Sequence, residues 1–230
     1  MARFNMWQLY KYQPINKLVL SNLADSKLWF AKPNVFNDPF EFRIKRDSKR
    51  GLDKLREENP HLEKVTDENL LEKVREGYEL KIREMGVCCF TEVPDSIQMW
   101  AYYADAHKGI CLGFTGKDGR TKKDDALYPV YYKKEYPEPD YGNVWHLDGL
   151  ANILFTKEKA WEHEKEYRRI IIDGNKLEDY PGTLNKIIFG IRTIESDKAL
   201  IKTILSENNE VKFYQVVRDK NKYKLNIEAI

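Results

Sequence analysis

Cysteine is scarce in this chain: the three present, Cys88, Cys89 and Cys111, are an odd number without metal-ligand spacing. That pattern excludes a disulfide framework and gives no zinc site, so no metal ligands are assigned. Adjacent cysteines in an apolar run read as buried thiols of a reduced compartment. No apolar run approaches the ~20 residues needed to cross a bilayer, and the opening MARFNMWQLY lacks a signal-peptide pattern. A cytoplasmic protein with no membrane partner is expected. Glycine-rich loops are missing too. No strand runs into one, which excludes a dinucleotide fingerprint and a P-loop. Excess charge is also lacking: the net charge of +2 argues against a constitutive nucleic-acid coat protein, though a local basic groove stays open.

What is present is enough for a core. At 230 residues, roughly 70–75% of the unfolded surface can be buried. No composition break marks a linker, so residues 1–230 read as a single domain. Aromatics reach 13%, with 14 tyrosines and 5 tryptophans. That is more than a core requires, and such rings either pack or stack on flat ligands.

Taken in order, 6–13 reads as a first strand. A helix follows with Ile15, Leu18, Val19 and Leu23 on one stripe, then a strand over 27–31 and a polar loop, PNVFNDPFEF. Residues 47–63 are densely charged and read as surface. Thr66 or Asp67 can cap the next helix, whose apolar face carries Leu71, Val74, Tyr78, Ile82 and Met85. The segment 47–85 is therefore expected as a mainly helical surface insertion. Strands are expected at 87–91, 110–114, 128–132, 167–172 and 185–190, with Pro129 placing its strand at an edge or start. A short helix carries Met99 to Tyr103, and helical spacing returns from Trp145 to Phe155. Residues 136–143, YPEPDYGN, read as a lid or an ordinary surface loop. Ser196 caps a last helix, and 211–217 with 223–227 read as a terminal hairpin. The short strands alternate irregularly with helices. An α+β domain is predicted, with one or two mixed, mainly antiparallel sheets and helical insertions.

The stretch Lys157 to Asp173, KEKAWEHEKEYRRIIID, is the most chemically suggestive. In extended chain, positions i and i+2 share a face, so Glu164 and Glu166 can lean over one sheet edge before the apolar run. The same acids, with Lys159, Lys165 and Arg168, can equally form a solvated helix end.

Four blocks resemble one bacterial family: LYKY (Leu9 to Tyr12), LWFAKPNVFNDPFE (Leu28 to Glu41), CFTEVPDSIQMWAYYADAHKGICLGF (Cys89 to Phe114) and KEKAWEHEKEYRR (Lys157 to Arg169). The family is domain of unknown function 2971, and its label implies a fold-sized bacterial unit without an agreed activity. Toxin or phage-defence roles suit such a family. Ala31 stands where the family usually has serine. A second resemblance is to ADP-ribosyltransferases, which carry an Arg or His on a first strand and a Glu-x-Glu or Gln-x-Glu pair before a later one. Here Tyr10-Lys11-Tyr12, Leu28 to Phe30 and Glu164-Lys165-Glu166 occupy those places, with Lys11 in the position of the usual Arg or His.

That resemblance implies a split sheet and, as substrate, NAD or another nucleotide, cleaved between nicotinamide and ribose. The ADP-ribosyl acceptor would be a protein, a nucleic acid or, in a glycohydrolase, water. Glu166 would face the oxocarbenium-like transition state. Glu164 would orient or deprotonate the acceptor, and Lys11 would hold a phosphate. Tyr12, Trp100, Tyr103 and Trp161 are rings able to stack or to pack. Asn37, Asp38 and Glu41 either fix a turn, line the same cleft, or, in a magnesium-nuclease reading, place Asp38 and Glu41 on a metal. His107, at a turn, is either structural or an anion contact. A non-catalytic module binding a nucleotide or partner is the remaining alternative.

Overall fold

The computed structural model describes residues 6–117, 127–143 and 147–230. Strand β1 (Met6–Gln13) leads through α1 (Lys17–Ala24) into β2 (Lys27–Phe30). Helices α2 (Leu52–Glu58) and α3 (Asp67–Glu84) precede β3 (Gly86–Thr91), α4 (Ile97–Tyr103) and β4 (Ile110–Lys117). Next come β5 (Tyr128–Pro129), β6 (Tyr131–Lys133), α5 (Leu147–Leu154), β7 (Thr156–Glu158) and β8 (Glu166–Ile171). The chain closes with β9 (Lys176–Asp179), β10 (Thr183–Phe189), α6 (Glu195–Ile204), β11 (Lys212–Arg218) and β12 (Leu225–Ala229).

Eight strands form one sheet in the order β12-β11-β10-β4-β1-β3-β8-β5, antiparallel except for the β10–β11 pair. Two further pairs, β2 with β9 and β6 with β7, form small sheets of their own, the first tied to the main sheet by a bridge between Ala31, just after β2, and Val87 of β3. The fold is a mixed α+β single domain with a mainly antiparallel main sheet. Alternation along β1 sends Leu9 into the core beneath α1 and α6, where Val19, Leu23, Phe90, Leu112 and Ile201 meet it. Tyr10 and Tyr12 face the other way, against Trp100 and Cys111.

One seam in the sheet matters for function. β1 pairs with β4 along its whole length, from Met6 to Gln13, but touches β3 at a single position, Tyr10 opposite Thr91. Beyond that bridge the two strands separate. Lys11 reaches across the gap and donates to the Cys89 carbonyl at 3.1 Å. A side chain thus satisfies a backbone acceptor that a regular ladder would have paired.

Several expectations are corrected. Residues 47–85 are helical, yet not merely surface: Leu52, Leu55, Leu70 and Tyr78 form a second core with Tyr141, Leu150 and Ile153. Charged residues dominate the composition of 47–63, but the leucines lie on one side of α2. The stretch 128–132 is two strands, because Val130 donates to the Glu166 carbonyl and Tyr131 to that of Phe155. Pro129 does sit in an edge strand. Residues 136–143 are no free lid: Tyr141 is buried, its amide bonds Arg50, and its ring meets Tyr78 edge-on. α6 begins at Glu195 behind Ile194 without a side-chain cap, so Ser196 is not its N-cap; Glu195 and Asp197 in its first turn favour the positive end of the helix dipole instead. β12 starts two residues later than expected, since the Asp219 carboxylate holds the turn by accepting from the Asn221 and Lys222 amides. β9 carried too mixed a pattern to be read as a strand. Parts of the polar run 116–125, a turn by its composition, and of the helical spacing from Trp145 lie outside the described residues.

Candidate functional site

At the carboxyl side of β7 a short 3-10 turn (Lys159–Glu164) ends in Lys165, whose backbone is left-handed at φ 43°. This kink, rather than continuous extended chain, separates the two glutamates. Glu164 closes the turn and Glu166 opens β8. They are buried, so the solvated-helix-end reading fails for them and for Arg168, though Lys159 and Lys165 do face water.

The burial is possible because the charges are matched. Lys157 Nζ lies 2.6 Å from Glu164 Oε2, 3.1 Å from Glu166 Oε2 and 3.1 Å from Glu41 Oε1. Arg168, on the same face as Glu166 two residues on, binds Glu166 Oε1 through Nε and Glu41 Oε2 through Nη2, each at 2.6 Å. Its remaining Nη1 donates to the Leu154 carbonyl at 2.7 Å, and its plane lies over the Phe42 ring. Tyr103 donates to Glu164 Oε1 at 2.7 Å, and the Glu166 amide donates to the Tyr132 hydroxyl at 2.7 Å. Unpaired, such charges would cost several kcal/mol each; here every carboxylate oxygen of the three acids has a donor or a cation.

Electrostatics follow from this arrangement. Burial alone would raise the Glu166 pKa, but Arg168 and Lys157 outweigh it and hold the carboxyl at about 2. Burial likewise works against the Lys157 charge, and Glu166, Glu41 and Glu164 reverse that, raising its pKa. Desolvation and the adjacent Glu164 push the Tyr103 phenol up, so it stays a proton donor at neutral pH. Desolvation raises the Cys89 thiol well above its usual value.

A cavity of about 100 Å³ opens at the seam between β1 and β3. Of the residues singled out from the sequence, Lys11, Tyr12, Asn37, Glu41, Tyr103, Glu164 and Glu166 line it. The others lie elsewhere. Trp100 is fully buried, donating to the Pro94 carbonyl at 2.9 Å and meeting Tyr12 edge-on, so it packs and does not stack on a ligand. Trp161 covers Lys157 Nζ, 4.9 Å from the ring centre, outside the cavity wall. Asp38 caps its own turn by accepting from the Phe40 amide at 2.8 Å. His107 lines a separate cleft. Among the described residues no group of three His, Cys, Asp or Glu is placed to hold a metal ion.

Lys157, Arg168 and Tyr132 were missed as site residues. Strand parity places Arg168 beside Glu166 and could have found it. Lys157 carries no such signal, since only the fold of β7 against the turn brings it under the acids.

A second cavity, about 350 Å³, shares Lys157 as a wall and is lined by Phe40, Arg43, Lys45, Lys133, Lys134 and Tyr136, among others. The model of a protein family described as a protein of unknown function (DUF2971) matches residues 99–169. Over that stretch the chain is similar to this family. The DUF2971 match runs from α4 to β8, so it contains Tyr103, Lys157, Glu164, Glu166 and Arg168, while Lys11, Asn37 and Glu41 precede it. Among curated proteins and among solved structures, nothing matches the chain. No helix among the described residues is long and apolar enough to cross a membrane.

Proposed function

We propose that this protein cleaves the bond between nicotinamide and ribose in NAD, as an ADP-ribosyltransferase-like enzyme or an NAD glycohydrolase. One observation carries the reading: Lys11 and, more than a hundred residues further along the sequence, the pair Glu164 and Glu166 line the same cavity with Tyr12, Asn37 and Tyr103. The bond from ribose C1′ to the nicotinamide nitrogen breaks, and its electron pair leaves with nicotinamide. Positive charge develops on the ribose. The Glu166 carboxylate, ionised throughout the neutral range, stabilises that charge more than the ground state. The acceptor then attacks C1′, and Glu164 takes its proton. Such paired-carboxylate logic is shared with glycoside hydrolysis.

The space suits a part of the substrate at each place. About 100 Å³ admits a single ring beside Tyr12 and Tyr103, whereas whole ligands fill roughly 300–1,000 Å³. The neighbouring 350 Å³ cavity, where Arg43, Lys133 and Lys134 stand with Lys45, itself paired with Glu135, and with Glu158, suits the pyrophosphate and adenylate portion. The magnesium-nuclease reading has less to stand on. Asp38 is engaged by the Phe40 amide, and Glu41 by Lys157 and Arg168, so these acids face different partners.

The test is nicotinamide release from NAD, followed chromatographically. Glu166→Gln should reduce turnover by about 10²–10³-fold, with the fold checked by circular dichroism. Because that position also serves the buried ion network, Asn37→Ala, on the exposed side of the cavity, is assayed beside it and should raise KM. Turnover unchanged in Glu166→Gln refutes the assignment. Thermal stabilisation by NAD without any turnover favours the non-catalytic binding module instead.

A further inference from the structure

A third cleft, about 530 Å³ in volume, shares no residue with the Glu166 cavity. Its walls are the turn between β11 and β12, the loop after β10, and the turn after α4. Five cations line it, Arg192, Arg218, Lys220, Lys222 and Lys224, against the single carboxylate of Asp219. That carboxylate is already engaged, with Oδ1 accepting from the Asn221 and Lys222 amides at 2.9 and 3.0 Å. In a chain whose net charge is only +2, such a concentration of one sign is a local positive field, offset among the cleft-lining residues by Asp219 alone.

Two further features lie in the same cleft. Tyr223 is wholly exposed, between Lys222 and Lys224, with none of its ring packed on the protein. His107 sits on three successive left-handed residues, Asp105, Ala106 and His107, at φ 45°, 50° and 71°. Backbone strain of this kind persists where the surroundings enforce it. Here the His107 amide bonds the Trp100 carbonyl, and the Arg192 amide bonds that of His107. The His107 Nδ1 is buried without a partner among the described residues. Burial, then the Arg192 charge, lower its pKa, so the ring adds no further positive charge at neutral pH.

We propose that this cleft binds single-stranded nucleic acid, its cations neutralising successive phosphates while Tyr223 stacks on a base. The combination of a cationic groove tracking a backbone with an exposed ring is how strands are held without sequence readout. A duplex would not offer an unstacked base to Tyr223, and a mononucleotide would use only part of the cationic surface.

The experiment is fluorescence anisotropy of the full chain with fluorescein-labelled oligothymidylate and oligouridylate of about twenty nucleotides. Binding should weaken steeply from about 50 to about 200 mM salt. The double variant Lys220→Glu/Lys222→Glu should bind at least about tenfold more weakly, and its log–log salt slope should be shallower by roughly 1.4. Tyr223→Ala should lose about tenfold with the slope unchanged. All three positions are exposed, and circular dichroism checks the fold. Lys64→Glu/Lys73→Glu, an equal charge change on the far helical layer, should alter affinity by no more than about twofold. Three results overturn the proposal: no oligomer binding at low salt, equal weakening by the control pair, or a mononucleotide competing as well as the oligomer.

Discussion

Replacing Lys157 with methionine keeps the length and apolar stem of the side chain and removes one charge. In the native protein that ammonium lies between 2.6 and 3.1 Å from carboxylate oxygens of Glu41, Glu164 and Glu166, all buried. Arg168 would still pair with Glu41 and Glu166, while Glu164 would keep only the Tyr103 phenol of its two side-chain donors. Removing one partner from a buried pair costs about 3–5 kcal/mol. For a domain of this size, that shift moves the urea midpoint by roughly 1–2 M. The pH dependence identifies the mechanism. The Glu166 pKa is about 2 in the folded state against 4.5 ordinarily. A depressed carboxyl contributes its stabilisation above about pH 4.5 and loses it as pH falls towards 2. Without Lys157 that depression shrinks, so the gap between variant and native protein is widest at neutral pH and narrows in acid. Urea titrations at about pH 7 and pH 4, followed by tryptophan fluorescence, measure both quantities. A loss below about 1 kcal/mol at pH 7, or a deficit that widens towards pH 4, refutes the claim that this lysine holds the cluster together.

Other consequences are equally direct. Tyr103→Phe deletes the donor to Glu164 Oε1, which should cost about 1–3 kcal/mol. It should lower Tm by roughly 2–10 °C, and an unchanged melting curve would show that water replaces the phenol at no cost. Burial raises the thiol pKa of Cys88, Cys89 and Cys111. Ellman's reagent should therefore find neither Cys88 nor Cys111 in the native protein at about pH 8, with Cys89, half-buried in the cavity wall, reacting slowly, and all three after unfolding; rapid labelling of Cys88 or Cys111 in the folded state contradicts their burial.

Much of the architecture was legible because it rests on local pattern. The stripe of Val19 and Leu23 in α1, the apolar β3 and β4, and the Thr66 cap, which accepts from the Asn69 amide, all follow from periodicity and hydrogen-bonding chemistry confined to a few residues. The boundaries went astray where tertiary contacts override propensity. The strand expected at 128–132 divides because Val130 is drawn to Glu166, and the lysine- and glutamate-rich 47–63 conceals the leucines of a second core.

Composition and spacing by themselves determined that Glu164 and Glu166 stand beside a strand, that the thiols are unpaired, and that no glycine-rich phosphate loop exists. Only the tertiary structure decided which side chains share a cavity with them. Lys11, Tyr103 and Lys157 come from separate elements, Asn37 and Glu41 from the loop after β2; apart from Arg168, which strand parity sets beside Glu166, a one-dimensional pattern does not say which cation will lie about 3 Å from which acid. The same limit explains the basic cleft. Arg192 and the lysines around Tyr223 are unremarkable apart in the chain, and form a concentrated positive field only once the turn between β11 and β12 folds against the loop after β10. Coulomb interaction depends on distance in space, and that distance is set by the fold.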